Sequence, residues 1–405
     1  MRLVSIEDIR EAEARIAGVT RRTPLSQFDS LVRAAGADVW CKEEQRQRTG
    51  SFKIRGAYNL IAQLDPGTHV VAASAGNHAQ GVALAASLCG LSSTIFMPRG
   101  ASLPKVTATQ EYGAVVELVG DSIDDAVLHA KRFARDNHAR FVPPFDDRAV
   151  IAGQGTIALE VLAELPEVAT IVVPIGGGGL IAGVAAAIKA LKPKCRVVGV
   201  EPEGAACMRA SLDTGAPRRL PSVATIADGI AVKSPSALTL AHVKALVDDV
   251  VTVSDEEIGQ ALVTVLERMK SIIEPSGAAG LAAVMANKFP RQRRSGPTVV
   301  VLSGGNVDAL LLSRLIEHGL SVAGRYLRLR IDVPDRPGIL ARLASDIAQL
   351  ELNILAVDHH RERASLELDE VEVAITVETR GQDHRRTALR ALRDRAGTCD
   401  PPDRR

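Results

Sequence analysis

Between about residues 37 and 310, short apolar runs alternate with longer stretches of helical spacing. The runs 69–74, 93–98, 170–175, 196–200 and 298–303 each end at a turn signal. A strand covered on both faces reads as a nearly continuous apolar run, so this order predicts an α/β protein with parallel sheets and crossover helices. Loops at the carboxyl ends of such strands carry the chemistry. Three of them, at 74–78, 176–179 and 303–306, are dense in Gly, Ser and Asn.

The pattern changes after Gly324. Leu327, Leu329, Ile331 and Val333 alternate with Arg328, Arg330 and Asp332, as in a strand with one exposed face. Asp335-Arg-Pro-Gly338 opens a helix with apolar residues at 339, 340, 343, 347 and 350, and Pro337 suits its first turn. Val371, Val373, Ile375 and Val377 mark a second alternating strand. One-sided sheets of this kind belong to a small α+β domain. Residues 396–405 show no alternation, so a closing strand is expected to be missing. The chain divides into a catalytic part at 1–320, a linker at 321–324 and the smaller domain at 325–405.

Composition narrows the field. A chain of 405 residues has room for two or three domains. A net charge of +1 excludes binding to nucleic acid or an anionic membrane surface by overall charge. Cys41, Cys89, Cys195, Cys207 and Cys399 are scattered without a C-x-x-C pair, which argues against a disulfide framework or a structural zinc site. No apolar leader opens the chain, and no uncharged run reaches the roughly 18 to 20 residues that span a bilayer. A cytoplasmic protein is expected.

Gly176, Gly177, Gly178 and Gly179 follow an apolar strand and precede an Ala-rich helix beginning at Leu180. Backbone N–H groups at such a helix start form an anion nest that suits a phosphate. The same residues satisfy the looser dinucleotide pattern G-x-G-x-x-A, with Glu201 ending the next strand, so a nicotinamide dehydrogenase stays open on this segment. Lys53 follows Gly50, Ser51 and bulky Phe52. Burial beside an apolar ring lowers a lysine pKa, as a Schiff-base lysine requires. Such a lysine together with a phosphate nest describes pyridoxal phosphate.

The segments Ser51-Phe-Lys53, Ser74-Ala-Gly-Asn-His-Ala-Gln-Gly81, the glycine run and Ser303-Gly-Gly-Asn306 closely resemble the motifs of the fold-type-II pyridoxal-phosphate enzymes, and within them the threonine/serine dehydratase branch. The resemblance extends over most of residues 5–320 and takes in Thr225-Ile-Ala-Asp-Gly-Ile and Ile273-Glu-Pro. It implies a two-lobed catalytic domain, related to the tryptophan synthase β fold, with a small lobe at about 41–145 inserted in the large one. It further implies that Lys53 carries the cofactor with Phe52 against the ring, that Asn77 bonds the ring hydroxyl, and that Gly176–179 with the Leu180 N–H hold the phosphate. Glu274 would lie near the ring and Ser303 would face the pyridine nitrogen. Ser74, Ala75, Gly76, Asn77 and His78 would form the substrate-carboxylate loop, although a lone His78 reads more readily as a satisfied core histidine.

A hydroxyl at Ser303 leaves the ring nitrogen largely neutral, which disfavours long-lived carbanions and suits β-elimination. The implied reaction converts L-threonine to 2-oxobutanoate and ammonia, with L-serine as a secondary substrate. Serine racemase is the alternative within the family. Racemisation needs a second proton donor on the opposite face, and Ala75 stands where racemase-like members carry a Ser. Phe145 stands where they carry an Asn, and an apolar ring better accommodates threonine's methyl. Some relatives hold a divalent cation between a Glu equivalent to Glu201 and an Asp six residues later. Cys207 occupies that second position, so no metal site is expected. Residues 325 to about 396 resemble an ACT domain, which implies an amino-acid effector such as isoleucine or valine and, by analogy, a homo-oligomer (dimer or tetramer).

Overall fold

The computed structural model describes residues 2–35, 38–290, 296–322, 324–361, 369–396 and 399–400. All five expected buried strands form, at Val70–Ala73, Ser93–Met97, Thr170–Pro174, Arg196–Pro202 and Thr298–Val301. They divide between two sheets. The larger runs in the order Leu25–Gln27, Val39–Lys42, Thr298–Val301, Thr170–Pro174, Arg196–Pro202, Asp249–Val253, with only the first pair antiparallel. The smaller is wholly parallel, in the order Val115–Leu118, Ser93–Met97, Val70–Ala73, Arg140–Phe141. Cys41 and Lys42, expected at the start of an inserted lobe, instead complete a strand of the larger sheet. Lys42 is tolerated there because its buried ammonium reaches Glu160 at 2.6 Å and donates to the Thr23 carbonyl at 2.6 Å.

Few aromatics and many small residues let helices approach closely. The helices Arg148–Glu164 and Gly179–Leu191 meet where a Cβ on Gly183 would lie 2.2 Å from the Ile151 carbonyl oxygen and 2.6 Å from the Gly155 nitrogen. Only glycine fits that crossing. The sole tryptophan, Trp40, is half-buried on Val39–Lys42 against the core of the larger sheet and donates to Asp38 Oδ1 at 2.9 Å.

The chain falls into two compact units, Met1–Leu311 and Leu312–Arg405. Residues 321 and 322, expected in a linker, end the helix Ala309–Val322, where Leu311, Leu312, Leu315 and Ile316 recur at helical spacing. The second unit has a four-stranded antiparallel sheet in the order Asn353–His360, Glu370–Glu378, Tyr326–Pro334, Cys399–Asp400. Leu327, Leu329, Ile331 and Val333 are buried with Val371, Val373, Ile375 and Val377 beneath Leu343 and Ile347 of the helix Ile339–Gln349. Pro337 lies outside that helix, because Gly338 caps it at φ +90°, a left-handed conformation that no helical residue adopts. The closing strand expected to be missing survives as a stub, with Cys399 and Asp400 paired to Ile331 and Arg330. A two-residue pairing needs no apolar alternation. Pro401 and Pro402, which have no N–H to extend a ladder, fall outside the described residues.

Candidate active site

A cavity of about 710 Å³ in the Met1–Leu311 unit collects all three Gly-, Ser- and Asn-rich loops. Lys53 is the first residue of the helix Lys53–Ile61 and lines the cavity. Its Nζ donates to the Pro144 carbonyl at 3.0 Å and lies 5.2 Å from the centroid of the Phe52 ring. Burial pulls this amine down to about 8, against the opposing pull of Glu274's negative charge.

The turn before Lys53 is stitched to the Ser303 loop. Phe52 N donates to the Ser303 carbonyl at 3.1 Å and Gly305 N to the Gly50 carbonyl at 2.8 Å. On the other side of the turn, Arg55 is fully buried. Its guanidinium donates to Glu44 at 2.8 and 2.9 Å and to Glu160 at 2.7 Å, while Lys42 holds the second Glu160 oxygen. Two cations and two carboxylates thus close a neutral buried cluster two residues from Lys53, a feature that no local sequence pattern marks.

The glycine run occupies the expected strand-to-helix turn. Gly178 takes φ +91° and caps the helix Gly179–Leu191. A Cβ on Gly177 would sit 2.1 Å from Phe145 Cδ1, so the loop and the Phe145 ring are packed face against face. Ser74, Ala75, Gly76, Asn77 and His78 line the same cavity, with Ser74 Oγ accepting from Gly76 N at 3.1 Å at the entrance to the helix Asn77–Leu88. The His78 side chain is committed elsewhere. Its Nε2 bonds the Val142 carbonyl at 2.9 Å, and burial, then the nearby Lys53 charge, push it down to about 3 despite that bond. The imidazole is thus held neutral, with Nε2 spent on that carbonyl.

Glu274 Oε1 accepts from Asn77 Nδ2 at 2.6 Å, and Glu274 N donates to the Gly304 carbonyl at 3.0 Å. Burial, followed by the like charge of Asp228, raises the Glu274 carboxyl to about 8, with the Asn77 bond opposing. Ser303 is buried on the cavity wall. Two ties at the cavity were not singled out by sequence reasoning. Lys105 pairs with Asp228 at 2.9 Å, and Asp124 pairs with Arg219 at 2.6 Å and Lys233 at 3.0 Å. Asp228 belongs to the Thr225-Ile-Ala-Asp-Gly-Ile segment, but pairings between distant segments leave no local signal. Glu201, outside this cavity, accepts from the backbone N–H groups of Met208 and Arg209 at 2.7 and 2.8 Å and so caps the helix Cys207–Thr214.

The arrangement combines an amine of depressed pKa, a backbone N–H cradle at a helix start, an amide beside a carboxyl and a lone hydroxyl. These suit a flat molecule with an aldehyde and a phosphate. Comparison with known proteins points the same way. A family model described as pyridoxal-phosphate dependent enzyme matches residues 16–304, and an ACT domain model matches residues 327–397. The chain is 48% identical to an L-threonine ammonia-lyase of Geobacter sulfurreducens over 93% of its own length and 94% of that protein. It is 44% identical to an L-threonine ammonia-lyase of Thermotoga maritima over 94% of this chain and 95% of that one. Among solved structures, a maize serine racemase matches with TM-score 0.74 at 40% identity, covering 79% of this chain and 99% of the other. The processed form of threonine deaminase isoform 2 from Solanum lycopersicum matches with TM-score 0.72 at 35% identity, covering 78% of this chain and 90% of the other. The dinucleotide alternative for the glycine loop falls with these matches.

Proposed function

This chain belongs to the pyridoxal-phosphate dependent enzymes and carries an ACT domain C-terminal to the catalytic part, and from that premise we propose that it eliminates water from L-threonine, the released enamine tautomerising and taking up water to give 2-oxobutanoate and ammonia. The observation that carries the substrate is the likeness to two L-threonine ammonia-lyases along nearly the whole chain. L-Serine is a secondary substrate.

When bound, pyridoxal phosphate supplies an aldehyde that condenses with amines and a conjugated ring that accepts the electrons of a bond broken at the substrate Cα. Lys53 would hold its aldehyde end, Gly176–179 and the Leu180 N–H its phosphate, Asn77 its ring oxygen and Ser303 its ring nitrogen. Phe52 would pack on the ring and Glu274 would stand beside it. Backbone N–H groups of 74–78, at the start of the helix Asn77–Leu88, bind the substrate carboxylate. Phe145 contacts the substrate methyl. Lys53, as a neutral amine, takes the Cα proton. Ala75 has no proton to return from the opposite face, which favours elimination over racemisation.

Keto-acid release from threonine and serine by the purified holoenzyme, with the chirality of residual serine, tests this reading. Threonine should be the faster substrate and serine should keep its configuration; rapid racemisation of serine with little keto acid would replace the proposal by the racemase. Only the neutral Lys53 amine is a base, so turnover at saturating threonine should rise as pH is brought up through about 8. A profile that falls over that range would remove Lys53 from the role.

Gly177→Ala should weaken cofactor binding roughly tenfold or more, because overpacking of this size costs about 1–3 kcal/mol. The added Cβ meets the Phe145 ring. Trimming that ring in the Gly177→Ala/Phe145→Ala double variant should restore much of the affinity in a titration with pyridoxal phosphate. Equal losses in both variants would show that the clash is not the cause.

The ACT domain senses an amino acid, isoleucine or valine, and pairs with a second copy. Titrating either into the full chain should change the apparent threonine affinity about fivefold or more, and a chain ending at residue 322 should not respond. An unresponsive full chain would reduce this unit to an assembly module. Among the described residues no helix is long and apolar enough to cross a membrane. Cys41, Cys89, Cys195 and Cys207 are free thiols, in keeping with the reducing cytoplasm to which we assign the enzyme.

A further inference from the structure

Asn306 ends the Ser303 loop, and its side chain joins three segments. Nδ2 donates to the Thr49 carbonyl at 2.7 Å and to Asn77 Oδ1 at 2.7 Å, with Gln80 Oε1 a longer third contact at 3.3 Å. An amide nitrogen carries two hydrogens, so the two short bonds saturate it. The turn before Lys53 is shaped around this group, since a Cβ on Gly50 would lie 2.2 Å from Asn306 Oδ1.

These bonds carry a direction. The Thr49 carbonyl can only accept, so the Asn306 nitrogen must face it, and the same nitrogen then meets Asn77. Asn77 is thereby obliged to present its oxygen to Asn306 and its nitrogen to Glu274 Oε1, at 2.6 Å. One Asn77 N–H goes to Glu274. The other has no acceptor among the described residues.

We propose that Asn306 is a positioning residue for the cofactor: by fixing the turn of the Asn77 amide, it reserves one Asn77 N–H for the cofactor's ring oxygen. The proposal rests on the reading of Asn77 given above. A hydrogen bond donated to that oxygen favours its ionised form, which absorbs in the visible, over the protonated form, which absorbs in the near ultraviolet. Asn306 therefore tunes the electronic state of the cofactor through the Asn77 amide.

The test is a double-variant cycle on the holoenzyme, read by its absorption spectrum and by the dissociation constant of pyridoxal phosphate. Asn306→Asp keeps the side-chain shape but, as a carboxylate, can donate neither bond. It should shift intensity from the visible to the near-ultraviolet band and weaken cofactor binding about tenfold, the scale of one lost hydrogen bond. Asn77→Ala should produce the same shift, and adding Asn306→Asp to it should change the spectrum no further. Should Asn306→Asp fail to fold, Asn306→Ala removes both donors without adding charge and is read in the same way. A wild-type spectrum in the Asn306 variants beside a shifted one in Asn77→Ala would overturn the inference and leave the Asn77 reading standing. Additive shifts would also overturn it, because Asn306 would then act by another route. An unshifted Asn77→Ala spectrum would remove the Asn77 reading and the inference together.

Discussion

Replacing Lys53 with alanine should abolish the visible absorption of the purified protein and lower 2-oxobutanoate formation by about 10⁴-fold, the upper range for loss of a positioned base. Two functions leave with one side chain. The cofactor loses the amine that holds it, and the substrate Cα proton loses its acceptor. The folded apoprotein should not suffer. A lysine whose folded pKa is lowered to about 8 is buried at a cost to its charged form. That cost is fully present below the folded value and fades as pH rises towards the ordinary lysine value. Lys53→Ala apoprotein should therefore unfold at neutral pH no more readily than the wild type. Retention of elimination within tenfold of wild type, with exogenous pyridoxal phosphate present, would sink the mechanism. An unfolded variant would instead overturn the stability expectation.

The second large effect is structural. Arg55→Met should lower stability by about 3–5 kcal/mol, because removing one partner of a buried pair leaves an uncompensated charge. The charge left over is on Glu44, which is fully buried and whose carboxylate, among the described residues, otherwise accepts only from Thr23 Oγ1 at 2.5 Å. Glu160 retains Lys42 at 2.6 Å. Neutralising the orphan in Arg55→Met/Glu44→Gln should recover part of the loss. Urea unfolding of the three proteins measures both quantities. An unfolding free energy for Arg55→Met within about 1 kcal/mol of wild type would mean that water reaches the cluster. The Lys53 helix begins two residues away, so cofactor retention should weaken in step with this loss.

What the sequence discloses follows from how each element meets solvent. The five strands buried on both faces are legible because each carries a short apolar run, with polar residues such as Ser93, Thr170, Arg196, Glu201 and Thr298 standing towards its ends. Val115–Leu118 lies at a sheet edge with three of its four residues exposed, and its Glu117 breaks the apolar run. Val39–Lys42 hides behind a lysine whose partner stands 118 positions later in the chain, at Glu160. In the second unit Asn353–His360 is exposed along its whole length, so nothing imposes an apolar alternation on it. The loops that meet at the cavity are legible for a different reason. Each lies at a strand end and has a composition that only tight backbone geometry demands. The joints between those loops are not legible. Asn306 with Thr49 and Asn77, and Lys105 with Asp228, arise from segments brought together only by folding. His78 shows the converse, a motif residue whose ring is spent on a backbone carbonyl.

Trp40, packed on the larger sheet, gives the molecule a built-in optical label. As the only tryptophan of the chain, it lies in Met1–Leu311, so Leu312–Arg405 is dark when indole is excited. Indole emission followed through a denaturant gradient reports one unit, while far-ultraviolet ellipticity reports both. The gap between the two curves isolates the melting of the unlabelled unit in the intact chain, with no dye attached and no bond cut.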